Sequence, residues 1–288
     1  MPLDLSIIIL SYKSKEHLKV LLPSIFSSTK KYSYEIIVVD NDSKDGTAEA
    51  VESLLSSAPN LKLIRNKNTG YAAGNNLAIK KTQGRYILLL NPDTKLNPDT
   101  LEKMLDLMEA RLDVGIGGCK LLKADGSLDL ACRRRFPNPW NSFKRLFLRN
   151  NIDYNYLNVL VDHEMEVDSV VGAFMLMRKS LLDKIGLLDE AFFMYGEDLD
   201  ICWRCKQAGF KVWYFPKSAA MHYKGESSKK VSFRALLWFH NSMWVFYKKH
   251  YWQKYPLVLH VIVWLGIKLR FFAMVVLNVF RSKKYVSR

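Results

Sequence analysis

The chain is arranged around the stretch Leu88-Leu89-Leu90-Asn91-Pro92-Asp93-Thr94. The leucines continue an apolar run and indicate a fully buried central strand, which ends because proline cannot continue a hydrogen-bonded ladder. Asp93 is thereby left at the carboxyl end of a buried strand, where open α/β sheets bind their ligands. Such a carboxylate is a hard oxygen donor of the kind that Mg²⁺ or Mn²⁺ shares with a diphosphate. By itself, an aspartate after a strand is more often a turn or helix-capping residue.

Strands and helices alternate through the first 112 residues. Apolar runs predict buried strands at 5–10, 35–39, 61–64 and 85–90, and the segments between and after them predict helices at 14–27, 47–55, 74–82 and 98–111. Elements that alternate at this spacing form a parallel sheet with right-handed crossovers. We therefore expect a nucleotide-binding half in which the polar loops at the strand ends face one crevice.

The loop at 66–76, with the sequence NKNTGYAAGNN, is small and polar and leads into the predicted helix at 74–82. Small residues let the backbone approach a ligand, and a helix N-terminus suits a phosphate group. No Gly-Lys-Ser or Gly-Lys-Thr follows, so the loop is not a P-loop.

Short strands and loops replace the alternation from Val114 onward. We expect strands at 115–122, 127–132, 167–177, 211–215 and 218–222, and helices at 179–185 and from the acids at 197–200 to about 207. The basic triplet Arg133-Arg134-Arg135 leads into an aromatic and basic stretch at 136–156, which predicts either a mobile acceptor-side segment or a solvated charge run. Acids in the first turn of a helix commonly compensate its dipole.

The net charge of +15 is a property of the C-terminal part. Residues 203–288 contain 17 Lys and Arg but a single acid, Glu226, whereas residues 1–202 are nearly balanced. Basic residues beside apolar, Trp-rich segments favour an anionic membrane surface and argue against a nucleic-acid partner.

Residues 256–280 are apolar, but Lys268 and Arg270 interrupt the run of about 20 apolar residues that a crossing needs. We favour a segment that lies in the interface or pairs with another chain over a crossing, with a helix hairpin packed on the protein as the alternative. No secretory signal is expected, because Met1-Pro2-Leu3-Asp4 lacks a basic start.

A set of motifs occurs in a characteristic order and spacing. The set comprises DNDSKDGT at 40–47, the loop from Asn68-x-Gly70 to Asn76, Asn91-Pro92-Asp93, residues 186–200, and His222-x-x-Gly225-x-Ser227. Taken together, residues 4–228 resemble an inverting glycosyltransferase of family 2, close to the bacterial rhamnosyltransferase-like branch. The resemblance implies a GT-A fold, an α/β architecture with a Rossmann-like, mostly parallel sheet flanked by helices. It implies a domain at 1–228, with a nucleotide-binding half at 1–112 and an acceptor and catalytic half at 113–228. Residues 229–288 are then a basic, apolar helical extension for membrane association or oligomerisation.

The resemblance also implies a nucleotide site and a metal site. Asp40 matches the acid that accepts a hydrogen bond from N3–H of uracil or thymine, because an ionised carboxylate only accepts. Asn91 and Asp93 stand where the family has Asp-x-Asp, so the charge facing Mg²⁺ or Mn²⁺ rests on Asp93, and His222 matches a further metal or phosphate contact. The remaining nucleotide-side candidates are Ser11 and Tyr12, which border the base and ribose, and Asp42, Asn68, Gly70 and Asn75.

Asp198 matches the general base of the family. Inverting transfer is a one-step displacement in which the acceptor hydroxyl loses its proton on the face opposite the leaving diphosphate. Glu197 or Asp200 holds this base or contacts the acceptor, and Tyr195 is a second acceptor-side candidate. No Gln-x-x-Arg-Trp, the motif of processive synthases, follows the acidic helix, which favours addition of a single sugar.

We therefore expect a metal-dependent inverting hexosyltransferase for cell-surface glycan synthesis. Its donor is a dTDP- or UDP-linked sugar, with rhamnose as the first candidate, and its acceptor is lipid-linked or a polysaccharide. The expected location is the cytoplasmic face of a bacterial inner membrane, as a peripheral or monotopic protein, with a homo-oligomer formed through the C-terminal helices. Because Asn91 replaces one acid, a catalytically inactive membrane scaffold of the same fold is the alternative.

Overall fold

A computed structural model of the protein describes residues 3–148, 150–223 and 232–280. The strands in these residues are β1 (Leu5–Ser11), β2 (Tyr34–Asn41), β3 (Leu61–Asn66), β4 (Tyr86–Leu90), β5 (Thr94–Leu96), β6 (Val114–Leu122), β7 (Met165–Val167), β8 (Phe174–Arg178) and β9 (Lys211–His222). The α-helices are α1 (Lys15–Phe26), α2 (Thr47–Glu52), α3 (Tyr71–Ile79), α4 (Thr100–Ala110), α5 (Pro139–Phe147), α6 (Lys179–Ile185), α7 (Glu197–Gln207), α8 (Phe233–Tyr251) and α9 (Leu257–Val279).

All the described strands join one mixed sheet. Their order is β3-β2-β1-β4-β8-β6-β9-β5, and β7 pairs with β9. The first four strands of this order are mutually parallel, as predicted, whereas β8 runs antiparallel to both β4 and β6. The α/β prediction is confirmed. Strands β1, β2 and β4 are nearly all buried, as their continuous apolar runs require, whereas the edge strand β3 is only partly buried.

The second half departs from the sequence prediction at three places. The predicted strand at 127–132 is a loop that ends in a 3₁₀ turn, Leu130–Cys132, begun by the Asp129 carboxylate. The predicted strand at 167–177 is interrupted between β7 and β8, and the two strands predicted at 211–215 and 218–222 form the single strand β9. Alternation of apolar residues cannot reveal such breaks, because the side chains of irregular segments also pack into the core.

The segment at 136–156 contains the helix α5. Asn138 begins it through a reciprocal capping box with Asn141. Two of the three preceding arginines point inward. Arg133 is 1% exposed and donates to the carbonyl oxygens of Val159 and Leu160, and Arg134 donates to the Val170 carbonyl oxygen. Arg133 therefore does not extend into solvent, whereas Arg135 is exposed.

Helix α8 packs against α7 and the loop before it. Trp203 of α7 contacts the rings of Phe246, His250 and Tyr251 of α8. Lys249 and His250 also pair with the fully buried carboxylate of Asp200. Because α8 shares this core with α7, we propose that the separable extension begins after α8 and not at residue 229.

Helix α9 leaves most of its apolar surface exposed. Among the described residues it is the one helix long and apolar enough to cross a membrane, with a mean hydropathy of 1.9, by length and composition only. Leu257, Val258 and Leu269 are each about two-thirds exposed or more. This surface has the chemistry of a membrane contact, because water penalises exposed apolar area.

Two truncations test the proposed boundary. A chain that ends at Tyr255 should remain folded and leave the membrane fraction, because it keeps the α7–α8 core and loses α9. A chain that ends at residue 231 should be destabilised by several kcal/mol, since it uncovers the rings packed on α8. Thermal unfolding and membrane sedimentation measure the two effects, and a chain ending at Tyr255 that still sediments with membranes would contradict the assignment of α9.

Candidate active site

The carboxyl ends of β1, β2 and β4 open into one large cleft of about 1880 Å³. Most of the predicted site residues line it: Tyr12, Asn68, Gly70, Asn91, Asp93, Tyr195, Glu197, Asp198 and His222. The parallel pairing of the first strands brings their ends together. Asp93, directly before β5, and Glu197 and Asp198, in the first turn of α7, add acidic side chains to the lining. Residues far apart in the chain thus share one cavity.

Five predicted site residues are not part of this lining. Ser11 and Asp40 lie opposite each other in the β1–β2 register, directly before the lining residues Tyr12 and Asn41. Asp42 is exposed at a positive φ of 66°, and Asn75 is buried, donating its amide to the Tyr71 carbonyl oxygen.

Asp200 is the clearest departure from the predicted roles. It lies under α8, where burial would raise its pKa, but the hydrogen bonds from His250 and Lys249 and the charge of Arg204 lower the pKa to about 2. Its oxygens are occupied by these three side chains. We therefore propose that Asp200 attaches α8 to α7 and does not contact the acceptor.

Asp93 and His222 lie side by side because β5 pairs with the end of β9. Thr94 is opposite His222 in the antiparallel register, and Nε2 of His222 is 3.3 Å from Oδ1 of Asp93. Nδ1 of the same ring is 2.9 Å from Oδ2 of the buried Asp129. Burial disfavours the imidazolium, but the hydrogen bonds to Asp129 and Asp93 and their charges outweigh it and raise the pKa of His222.

The pair fits a divalent cation in part. One nitrogen and one oxygen at 3.3 Å are spaced like neighbouring ligands of an octahedral ion, and a carboxylate on the far ring nitrogen is the common partner of a metal-binding histidine. Across residues 3–148, 150–223 and 232–280, no three His, Cys, Asp or Glu side chains converge to hold a metal by themselves. Further ligands would have to come from a diphosphate or water.

Glu197 and Asp198 form the other acidic part of the cleft, in the first turn of α7. Nη2 of Arg134 donates to Oδ2 of Asp198 at 2.8 Å, and the Gly172 amide donates to the same oxygen at 3.3 Å. Burial, and then the charge of Asp198, raises the pKa of Glu197 to about 8. Glu197 therefore holds its proton at neutral pH, and the positively charged partner of Asp198 is Arg134.

Tyr71 connects the two acidic groups. Its hydroxyl donates to the Gly172 carbonyl at 3.0 Å and lies 3.2 Å from Oδ1 of Asn91. Burial and then the charges of Glu197, Asp198 and Asp93 raise the pKa of this phenol well above its usual value. One neutral hydroxyl thus lies within electrostatic range of both the candidate base and the candidate metal ligand.

Gly70 allows the two walls of the cleft to meet. It has a φ of +92°, and a Cβ there would lie 2.5 Å from the Phe193 carbonyl oxygen, which accepts a hydrogen bond from the Tyr71 amide. The predicted close approach of backbone is therefore an approach to another protein segment. A larger residue would separate α3 from the loop that carries Tyr195.

Several candidate residues carry buried polar atoms with no hydrogen-bond partner. These atoms include Oγ of Ser11, Oδ1 of Asp40 and Oε2 of Glu197. An unpaired buried polar atom typically costs about 1–3 kcal/mol, so clustering of such atoms beside a cleft is typical of groups that await a ligand.

Sequence reasoning missed Arg134, Asp129 and Tyr71. The triplet at 133–135 was visible, but nothing in it shows that the middle arginine faces Asp198, 64 residues away. The sequence predicts a strand at 127–132, which includes Asp129, and a small, polar loop at 66–76, which includes Tyr71. Only the packing of the second half shows what these side chains contact.

Comparison with known proteins identifies the family of the chain. The family model described as Glycosyl transferase family 2 matches residues 6–186. The N-acetylglucosaminyl-diphospho-decaprenol L-rhamnosyltransferase of Mycobacterium tuberculosis is 25% identical over 283 residues, covering 88% of this chain and 87% of the relative. Rhamnosyltransferase WbbL of Escherichia coli is 27% identical over 239 residues, covering 81% and 88%.

Solved structures share the fold. The mannosyltransferase PcManGT from Pyrobaculum calidifontis, in complex with GDP-Man and Mn²⁺, aligns with a TM-score of 0.62 at 16% identity, covering 97% of this chain and 76% of that one. Residues 1–349 of Staphylococcus aureus TarS, in complex with UDP, align with a TM-score of 0.56 at 18% identity, covering 94% and 72%.

The raised pKa of Glu197 predicts a pH-dependent effect of Glu197→Gln on stability. The folded state keeps the proton between pH 4.5 and about 8, whereas the unfolded state releases it, so the wild-type free energy of unfolding falls as the pH rises through this range. The glutamine variant avoids this loss. Its free energy of unfolding relative to wild type should therefore be roughly 2–3 kcal/mol more favourable at pH 8 than at pH 5. Denaturant unfolding at both pH values measures the difference.

Glu102→Gln, on α4 away from the cleft, is the matched control and should show no such pH dependence. If Glu197→Gln had equal effects at pH 5 and pH 8, the carboxyl would not change its protonation in this range.

Proposed function

The chain belongs to glycosyl transferase family 2 and is a glycosyltransferase, and we propose that it transfers one sugar per acceptor, with inversion and with a divalent metal ion. We propose a nucleoside-diphosphate sugar as donor, dTDP- or UDP-linked, with rhamnose as the first sugar to test. The acceptor is a lipid-linked or polysaccharide glycan in cell-surface glycan synthesis.

One observation supports this function best. Asp93 with His222, and Glu197 with Asp198, line the same cleft, and Tyr71 and Gly172 lie between them. A displacement that loses a diphosphate on one face and a proton on the other needs two separate polar groups around one sugar.

The donor side is formed by the ends of β1, β2 and β4. Oδ1 of Asp40 and Oγ of Ser11, which have no hydrogen-bond partner, would contact the base and ribose. Asn91 and the start of α3 would face the diphosphate. Asp93 and His222 would hold Mg²⁺ or Mn²⁺, which when bound neutralises charge that grows on the leaving diphosphate. For this, His222 must give up the proton at Nε2, while Asp129 keeps the ring oriented through Nδ1.

Asp198 acts as the general base in this proposal. A carboxylate oxygen of Asp198 takes the proton of the acceptor hydroxyl while the hydroxyl oxygen forms a bond to the anomeric carbon. The bond from that carbon to the diphosphate oxygen breaks on the opposite face, and its electron pair leaves with the diphosphate. Arg134 keeps Asp198 oriented through the buried 2.8 Å contact, and the proton on Glu197 allows it to donate a hydrogen bond to acceptor or sugar.

The location of the protein follows from α9. We propose that its exposed apolar face attaches the enzyme to the cytoplasmic face of a membrane, as a helix that lies in the interface. The same face could pair two copies of the chain. Light scattering in detergent, with and without residues 256–288, tests that association.

Asp198→Asn should lower kcat about 10²–10⁴-fold, because an amide cannot take the acceptor proton. Nucleotide binding should remain nearly intact, since Asp198 lies on the acceptor side. Turnover is measured with dTDP-rhamnose and UDP-sugars, after a thermal-shift screen with Mn²⁺ has identified the donor. Asp183→Asn, on the exposed side of α6, is the matched control, and full activity of Asp198→Asn would remove this residue as the base.

Substitution of His222 tests the metal site without relying on turnover. His222→Gln should weaken Mn²⁺-dependent binding of UDP about 10–100-fold, because one ligand is lost. Binding of UDP in EDTA should change little. Calorimetry measures both, and wild-type protein that binds UDP equally with and without Mn²⁺ would favour the inactive scaffold.

A further inference from the structure

The hydroxyl of Tyr71 lies between the donor side and the acceptor side of the cleft. Tyr71 is the first residue of α3, and its hydroxyl reaches the segment that joins β7 to β8. The hydroxyl has one hydrogen and two acceptors, the Gly172 carbonyl oxygen at 3.0 Å and Oδ1 of Asn91 at 3.2 Å. All three residues line the cleft. A single hydrogen is thus shared between Asn91, on the donor side, and Gly172, on the side of the candidate base.

Gly172 continues this contact to the candidate base. Its backbone N–H donates to Oδ2 of Asp198 at 3.3 Å. Nη2 of Arg134 donates to the same oxygen of Asp198 at 2.8 Å and to the Val170 carbonyl oxygen at 2.9 Å. The segment at 170–172 therefore positions Asp198 twice, directly through Gly172 and indirectly through Arg134.

Individual hydrogen bonds connect this segment to the donor side. Residues 170–173 lie between β7 and β8 and outside both strands. The Asn91 amide donates to the Ala173 carbonyl oxygen at 3.0 Å, and the Tyr71 hydroxyl donates to the residue before it. A segment outside the ladder depends on such bonds for its position, so the loss of one allows it to shift.

The absence of a side chain at Gly172 makes room for the hydroxyl. A Cβ at this position would lie 2.9 Å from the hydroxyl oxygen of Tyr71 and 3.5 Å from its Cζ. A methyl group does not approach an oxygen as closely as 2.9 Å, so alanine would push the hydroxyl out of its hydrogen bond. Tyr71 and Gly172 therefore fit each other, with the hydroxyl in the space that a side chain would take.

We infer that Tyr71 is a positioning residue for the transfer. Its hydroxyl holds the Gly172 backbone in the orientation in which the Gly172 N–H fixes Oδ2 of Asp198. Tyr71 thus acts on the reaction through Asp198, and a misplacement of about 1 Å in a reacting group can lower a rate about 100-fold. This inference rests on the proposed function and adds to it a link from the donor side to the base.

Tyr71→Phe removes the hydroxyl and keeps the ring. We expect kcat to fall about 10–100-fold, because the Gly172 backbone is released and Asp198 loses its fixed position. The KM for the donor and the affinity for UDP with Mn²⁺ should stay within about 3-fold of wild type, since the variant loses only one hydrogen bond on the donor side. Turnover is measured with Mn²⁺ and dTDP-rhamnose, or with the UDP-sugar that stabilises the protein most in the thermal-shift screen.

Tyr214→Phe is the matched control. It removes a hydroxyl that donates to the Val161 carbonyl oxygen at 2.9 Å, the same kind of bond, outside the cleft lining. This variant should keep the kcat of wild type. Equal kcat of Tyr71→Phe and wild type would overturn the inference.

The dependence on Asp198 separates a positioning role from a general weakening of the fold. In a chain that already carries Asp198→Asn, Tyr71→Phe should lower the single-turnover rate less than about 2-fold, because no base remains to be misplaced. An equal loss from Tyr71→Phe in the wild-type and Asp198→Asn chains would contradict the inference.

Gly172→Ala tests the contact from the other side. It should lower the Tm of the wild-type chain more than that of the Tyr71→Phe chain, because phenylalanine leaves room for the added methyl group. It should also lower kcat in the wild-type chain, which tests the inference even if Tyr71→Phe does not fold. Equal lowering of Tm in the two chains, or unchanged kcat, would count against the contact between Tyr71 and Gly172.

The activity of the wild-type chain distinguishes the two proposals. If wild type turns over a sugar donor with Mn²⁺ and Tyr71→Phe has the same kcat, only the positioning role of Tyr71 is refuted. If wild type turns over none of the donors, the proposed function fails and the inference fails with it.

Discussion

The hydrogen bond from the Tyr71 amide to the Phe193 carbonyl joins the two walls of the cleft. Gly70 makes it possible, because any side chain there would collide with Phe193. The loop that contains Phe193 is in turn held by α8, since Phe193 stacks on Trp238 and the Met194 carbonyl accepts from Ser242. The start of α3, the loop that contains Phe193 and helix α8 thus form one connected wall. Displacement of any one of them would change the spacing between Asp93 and Asp198.

The acids of the cleft are kept apart in charge as well as in space. Asp93 faces His222, whose raised pKa favours the imidazolium form of the ring. Asp198 pairs with the partly buried Arg134, and Glu197 keeps its proton because it is buried. Three ionised carboxylates around one small volume would repel one another and destabilise the fold. Different partners and burial thus shift the pKa values of Asp93 and Glu197 in opposite directions.

The C-terminal part divides into two helices with different roles. α8 is held by the rings on Trp203 and by the carboxylate of Asp200, so it is as much a part of the domain as α7. α9 buries little of itself and places a glycine and apolar side chains along the cleft. A basic, apolar segment that looks like an appendage in the sequence therefore forms part of the cleft wall.

The sequence by itself determined the parallel half of the sheet, the family of the chain and the presence of an apolar C-terminal segment. It also indicated that the acids at 93 and 197–198 lie at one cleft. Continuous apolar runs and helix periodicity are local signals, and motif order survives without knowledge of contacts. Only the tertiary structure decided that Arg134 pairs with Asp198, that Asp129 orients His222, that Asp200 attaches α8 and that α9 lines the cleft. Each of these depends on residues dozens of positions apart meeting at one place, and local sequence patterns do not encode such distances.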